Sequence, residues 1–141
     1  ERSLKTLVLR VERQTQNAMR IAEFLSQQTE VARVNYPGLP QFRGHDIAGA
    51  QMRGFGAMLS FDLDPDAVLP VDFLNRLQLI RPAVSLGGVE TLICSPAETS
   101  HAKISAEERR RIGVGESVLR LSVGIEHVDD LIDDLKRGLN Q

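Results

Sequence analysis

Leu4, Leu7, Val8, Val11, Ala18, Ile21, Ala22 and Leu25 recur at helical spacing, while Arg10, Arg13, Arg20 and Glu23 fall largely off that stripe. The pattern predicts one long amphipathic helix over residues 3–28. The period then changes. "VARVNYPGLP" predicts a short strand ending in a Pro-Gly turn, and "HDIAGAQM", residues 45–52, a short helix followed by the glycines of "RGFG". In "AMLSFDL" the alternation is clean, with Ala57, Leu59, Phe61 and Leu63 on one face and Met58, Ser60 and Asp62 on the other.

Residues 66–77 predict a third helix with Pro70 in its first turn. "LQLIRPAVSLGG" predicts a strand or extended run entering a glycine turn, and "ETLICSP" another strand. Ser105 opens a helix by the capping pattern "SAEE", with Glu108 three residues on. In the last helix Val128, Leu131, Ile132, Leu135 and Leu139 form one apolar stripe, with Asp129, Asp130, Asp133 and Asp134 outside it. Early acids and late Lys136 and Arg137 suit the helix dipole there. Helices interspersed with short strands, without the continuous apolar runs of a buried parallel sheet, predict a small α/β sandwich with helices on one face.

Composition narrows the picture. The chain has 141 residues, one domain's length, with 42% hydrophobic and 26% charged residues, as expected of a soluble globular domain. Repeats, low-complexity segments and linkers are absent from the pattern. A net charge of -2 with mixed signs argues against a nucleic-acid footprint or a polybasic membrane segment. Arg109, Arg110 and Arg111 form the one basic run, and the preceding Glu107 and Glu108 suit a solvated helix face. No apolar run approaches the ~20 residues that cross a bilayer. Glu1 falls inside a helix-like pattern with no signal peptide, which gives the expectation of a longer parent chain in the cytoplasm. The single cysteine, Cys94, is expected to be a packed strand residue.

No complete catalytic set is present in the pattern. His45, His101 and His127 lack metal-ligand spacing, so no metal site is expected. His127 suits a helix start at the surface. His101 in "ETSHAKI" suits a loop, either packed there or placed for chemistry beside Thr99 and Ser100. "GVG" at 113–115 lacks the strand-then-helix context of a dinucleotide loop. "SLGG" at 85–88 offers free backbone N–H groups and a hydroxyl, a weak signal alone.

Arg120 stands out in "VLRLSVGIE", residues 118–126. By alternation it shares a face with Val118 and Ser122, opposite Leu119, Leu121, Val123 and Ile125. Two readings stand: a solvent-facing or salt-bridged arginine, or a guanidinium fork that receives a ligand carboxylate bidentately.

"SLGGVETLICSPAETSHAKISAEERRRIGVGESVLRLSVGIEHVDDLIDDLKRGL", with "LKTLVLR", "VNYPGLP" and "GFGAMLSFDL" upstream, resembles the C-terminal domain of the Cys/Met-metabolism enzymes that use pyridoxal phosphate. That family includes cystathionine γ-synthase, cystathionine γ- and β-lyases and methionine γ-lyase. The resemblance covers essentially the whole chain as one domain, 1–141. It implies the small domain of a fold-type I pyridoxal-phosphate enzyme, a mostly antiparallel sheet of about four strands with helices on one face.

The resemblance also implies roles. Arg120 would form a salt bridge with the substrate α-carboxylate, and Ser85 would help hold it, both orienting the amino acid over the cofactor. Val84 stands where cystathionine-processing members often carry a glutamate. An apolar residue there cannot pair with an ammonium but packs against a thioether, which leans toward a methionine- or homocysteine-type substrate. The Schiff-base lysine and the cofactor-binding residues of the family belong to an upstream domain. Lys5, Lys103 and Lys136 match none of its motifs, so no catalytic residue is assigned in this chain, and no bound cofactor is expected on it alone. Implied partners are a sulfur amino acid, the chain's own N-terminal catalytic domain and a homotetramer. A free-standing amino-acid-binding or interaction module derived from this domain is the other expectation.

Overall fold

In the computed structural model, residues 2–141 are described, and Glu1 lies outside them. After a 3-10 turn at Arg2–Thr6 come α1 (Leu7–Leu25), β1 (Val31–Asn35), α2 (His45–Gln51), β2 (Met58–Leu63) and α3 (Pro70–Arg76). Then follow β3 (Arg81–Pro82), β4 (Leu92–Cys94), α4 (Ala106–Arg111), β5 (Val118–Ser122) and α5 (Val128–Gly138). The strands form one sheet of five in the order β1-β2-β5-β4-β3. Every pairing is antiparallel except that of β3 with β4. The sequence implied about four strands; the fifth is the two-residue β3, too short to carry an alternation.

One face of the sheet is the core face. Register places Leu121 between Leu59 and Ile93, and Leu119 beside Phe61, which itself faces Val34. These side chains join Ala18, Ile21, Ala22 and Leu25 of α1, Phe73 of α3, and Leu131 and Leu135 of α5 in a single buried cluster. The three helices therefore share one side of the sheet. Pro70 does open α3, where a missing N–H costs nothing, and Ser105 Oγ accepts from Glu108 N at 3.2 Å as the cap of α4.

Four sequence expectations need correction. The stripe over residues 3–28 continues as helix only through Leu25, and its first half is exposed: Leu4, Leu7, Val8 and Val11 face solvent because no described element lies over them. The final strand ends at Ser122, so Val123 and Ile125 lie beyond it; Ile125 is exposed, not in the core. Asp134 is not on the solvent side of α5. It is 1% exposed and accepts from the backbone N–H of Gln78, Leu79 and Ile80 at 2.8–3.0 Å. That carboxylate holds residues 78–80 of the extended run expected at 77–88, and β4 pairs with the two residues that follow. Arg109 likewise leaves the solvated face and donates to the Ile104 carbonyl while pairing with Glu116.

Candidate substrate-binding site

The opposite face of the sheet is polar. Arg120 of β5 sits in register with Ser60 of β2 and Cys94 of β4, and further out Arg33 pairs with Asp62 at 2.8 Å. These cross-strand neighbours are small, and Cys94 is a buried strand residue.

The segment 83–91 connects the parallel strands β3 and β4. Parallel neighbours ordinarily require a crossover of a dozen or more residues, usually with a helix. Here a shorter loop without one makes the connection, and it carries Val84 and Ser85. Both are exposed, Val84 by 62%. Gly87 turns the chain at φ +76°, a conformation that costs a side-chain-bearing residue about 1 kcal/mol or more.

Arg120 and this loop are joined directly. Arg120 Nη2 donates to the Val84 carbonyl at 2.8 Å and to the Ser85 carbonyl at 3.1 Å. Its Nε is buried with no protein partner. Among the described residues no carboxylate pairs with Arg120. Two loop carbonyls accept from one nitrogen, and the buried Nε–H is left without a partner. An orphaned buried donor costs about 1–3 kcal/mol. Ser85 and Val84 are thus brought to Arg120 through their carbonyls.

The lysines do not fit an imine-forming cofactor site. Lys5 and Lys103 are exposed, and Lys136 on α5 pairs with Asp133 at 2.9 Å. His127 is exposed at the start of α5, and His101 Nδ1 meets its neighbour Ser100 at 2.8 Å in a loop. His45 stacks on Phe55. Gly113, in "GVG", follows α4 at φ +81° as a helix stop. Among the described residues no cluster of metal-binding side chains occurs, and no helix is long and apolar enough to cross a membrane.

Sequence reasoning missed the polar side chains that anchor the loop's far end. Gln14 and Asn17 of α1 are 3% and 1% exposed. Gln14 Nε2 donates to the Gly88 carbonyl at 2.7 Å, and Asn17 Nδ2 to the carbonyls of Gly124 and Glu126 at 3.1 and 2.9 Å. A signal was there: the α1 stripe lacks apolar residues between Val11 and Ala18, where helical spacing puts 14 and 17 on the inner face.

A mostly antiparallel open sheet with helices on one side is the α/β fold of fold-type I pyridoxal-phosphate enzymes. The sequence matches the family described as Cys/Met metabolism PLP-dependent enzyme over residues 1–140, and the chain belongs to that family. It is 45% identical over 140 residues to the L-methionine γ-lyase of Fusobacterium nucleatum subsp. polymorphum, covering 99% of this chain and 35% of that one. It is 47% identical over 142 residues to the cystathionine β-lyase of Lactococcus lactis subsp. cremoris, covering 100% and 37%. The crystal structure of cystathionine γ-lyase from Lactobacillus plantarum complexed with L-serine superimposes with a TM-score of 0.94 at 42% identity, over 99% of this chain and 36% of that one. The chain thus spans little more than a third of the length of the relatives it matches.

Proposed function

We propose that this chain is the C-terminal, substrate-carboxylate-binding domain of a pyridoxal-phosphate-dependent sulfur amino-acid enzyme. The observation that carries the proposal is the Arg120 fork, braced by two loop carbonyls and left with a buried, unpaired Nε. Arg120 binds the α-carboxylate, and the Ser85 hydroxyl at the loop surface assists. Together they orient the amino acid, a geometric service worth a large part of a barrier when the reacting bond must be aligned. The cofactor, held by the upstream catalytic domain, supplies the electron sink that stabilises a carbanion. Under this reading the isolated chain catalyses nothing, since the lysine that anchors the cofactor lies in the catalytic domain.

The exposed half of α1 supports the same reading. Leu7, Val8, Val11, Thr15, Met52 and Gly54 line an open groove of about 740 Å³. Contiguous apolar surface of this kind marks an interaction site. Its occupant in the proposal is the chain's own catalytic domain, within a cytoplasmic homotetramer.

The reaction is β- or γ-elimination or γ-replacement on a sulfur amino acid, with methionine γ-lyase-like chemistry favoured on the apolar Val84. In the full-length enzyme, Arg120→Ala raises KM and lowers kcat/KM by roughly 30-fold to several thousand-fold, as truncating one side of a desolvated charge pair costs about 2–5 kcal/mol. Cofactor absorbance stays unchanged. An unaltered KM removes Arg120 from the site.

A further inference from the structure

The loop that carries Val84 and Ser85 has little packing to hold it. Residues 84–87 are exposed, and none belongs to the hydrophobic cluster. Hydrogen bonds hold it instead, several from side chains and one from Ile125 N to the Val89 carbonyl at 2.9 Å. Gly87 N donates to Ser122 Oγ at 3.1 Å, and the Gly88 carbonyl accepts from Gln14 Nε2 at 2.7 Å. At the loop's exit Thr91 N and Thr91 Oγ1 both donate to the Glu126 carboxylate, at 2.6 and 2.8 Å, while Thr91 Oγ1 accepts from Gly124 N at 2.8 Å. Asn17 ties that second turn to the same helix.

The placement of these polar groups is expensive without a purpose. Position 14 faces inward on α1, where a leucine would continue the stripe. A buried amide costs about 1–3 kcal/mol unless its hydrogen bonds are made. Gln14 spends its amide on one loop carbonyl. Because both Arg120 bonds go from Nη2 to the same loop, the position of the loop sets the orientation of the guanidinium plane and hence of its free edge.

We propose that Gln14, with the Thr91–Glu126 pair, positions the carboxylate fork: these residues set where the 84–88 loop lies and so aim the free edge of Arg120. They touch no substrate and act through the loop. The inference rests on the reading of Arg120 as the carboxylate binder.

The test compares an amino-acid substrate with its primary carboxamide in the full-length enzyme. The two share their shape, and the carboxamide replaces the charged, acceptor-only group that the fork reads with a neutral one that keeps one acceptor oxygen and adds an NH2 donor. Gln14→Met keeps size and apolarity on α1 but cannot donate. It is expected to raise KM for the amino acid about tenfold, the loss of one hydrogen bond to a buried group. The expected KM for the carboxamide changes little, and kcat stays within about threefold. Thr91→Val narrows the same discrimination, while Thr91→Ser, which keeps the hydroxyl, restores it. Equal changes for acid and carboxamide, or an unchanged ratio in a folded Gln14→Met, overturn the positioning role. Arg120→Ala is measured alongside. If it collapses the ratio and Gln14→Met does not, only the positioning fails; if Arg120→Ala itself leaves the ratio intact, the carboxylate reading fails first.

Discussion

Arg120 shows how a single position can be legible in part. Alternation along "VLRLS" set its face, and the register with Ser60 and Cys94 agrees. Its bonds to Val84 and Ser85 were not legible, because their partners are 35 and 36 residues away and meet it only through tertiary geometry. Gln14 is the converse case, a polar residue on an apolar face that propensity alone treats as surface. Val84 is the position on which the proposed substrate preference rests. Relatives at 45% and 47% identity bear the names methionine γ-lyase and cystathionine β-lyase, so overall identity does not choose between them. Val84 is exposed and can accept a carboxylate side chain without strain in the core. In the full-length enzyme Val84→Glu shifts the ratio of kcat/KM toward cystathionine and away from methionine by about tenfold, the scale of one charge-assisted contact. An unchanged ratio means that specificity is set elsewhere.

At the scale of elements, legibility followed burial asymmetry. β2 alternates because one face is buried and the other is not, with Leu59, Phe61 and Leu63 inside and Ser60 and Asp62 only partly covered. α5 shows its stripe for the same reason. The run 77–88 reads poorly because much of its backbone is satisfied by side chains remote in sequence, and only a two-residue stretch pairs with a neighbouring strand. Asp134 makes the point: one carboxylate serves three consecutive N–H groups and also Arg137 at 2.5 Å. Removing it leaves those donors to water or to nothing, while the Arg137 charge loses its partner. Asp134→Ala is expected to destabilise the fold by about 2–4 kcal/mol, seen as a lower urea midpoint at constant slope. Asp134→Asn, which retains one acceptor, loses less. A midpoint shift below ~0.5 kcal/mol for the alanine variant means the segment is held by other contacts.

Across the molecule, the core is complete on one side of the sheet, while the α1 groove and the loop-bearing face remain open. Tyr36 reports on that core. It is fully buried, donates to the Gly56 carbonyl at 2.9 Å, and meets Phe55 edge-on at 6.4 Å. Burial pushes its phenol up from 10.0 to about 12. The unfolded chain then loses that proton first, so the stability it contributes is whole below about pH 10 and is lost as pH rises toward 12. With one tyrosine and no tryptophan in the chain, the near-ultraviolet phenolate band follows this group alone. Phenolate appearing around pH 10 in the folded protein would show that Tyr36 is not sealed. The sheet order has one more consequence, for synthesis. β5 is the last strand in the chain yet lies at the centre, between β2 and β4. Until residues 118–122 emerge from the ribosome, the β1–β2 ribbon and the β3–β4 pair have nothing to join them. Their inner edges stay open for that interval, and open edges invite pairing with other chains. The strand that brings Arg120 is therefore the one that closes the sheet, so a nascent chain places that arginine and gains its protection from misassembly in the same step.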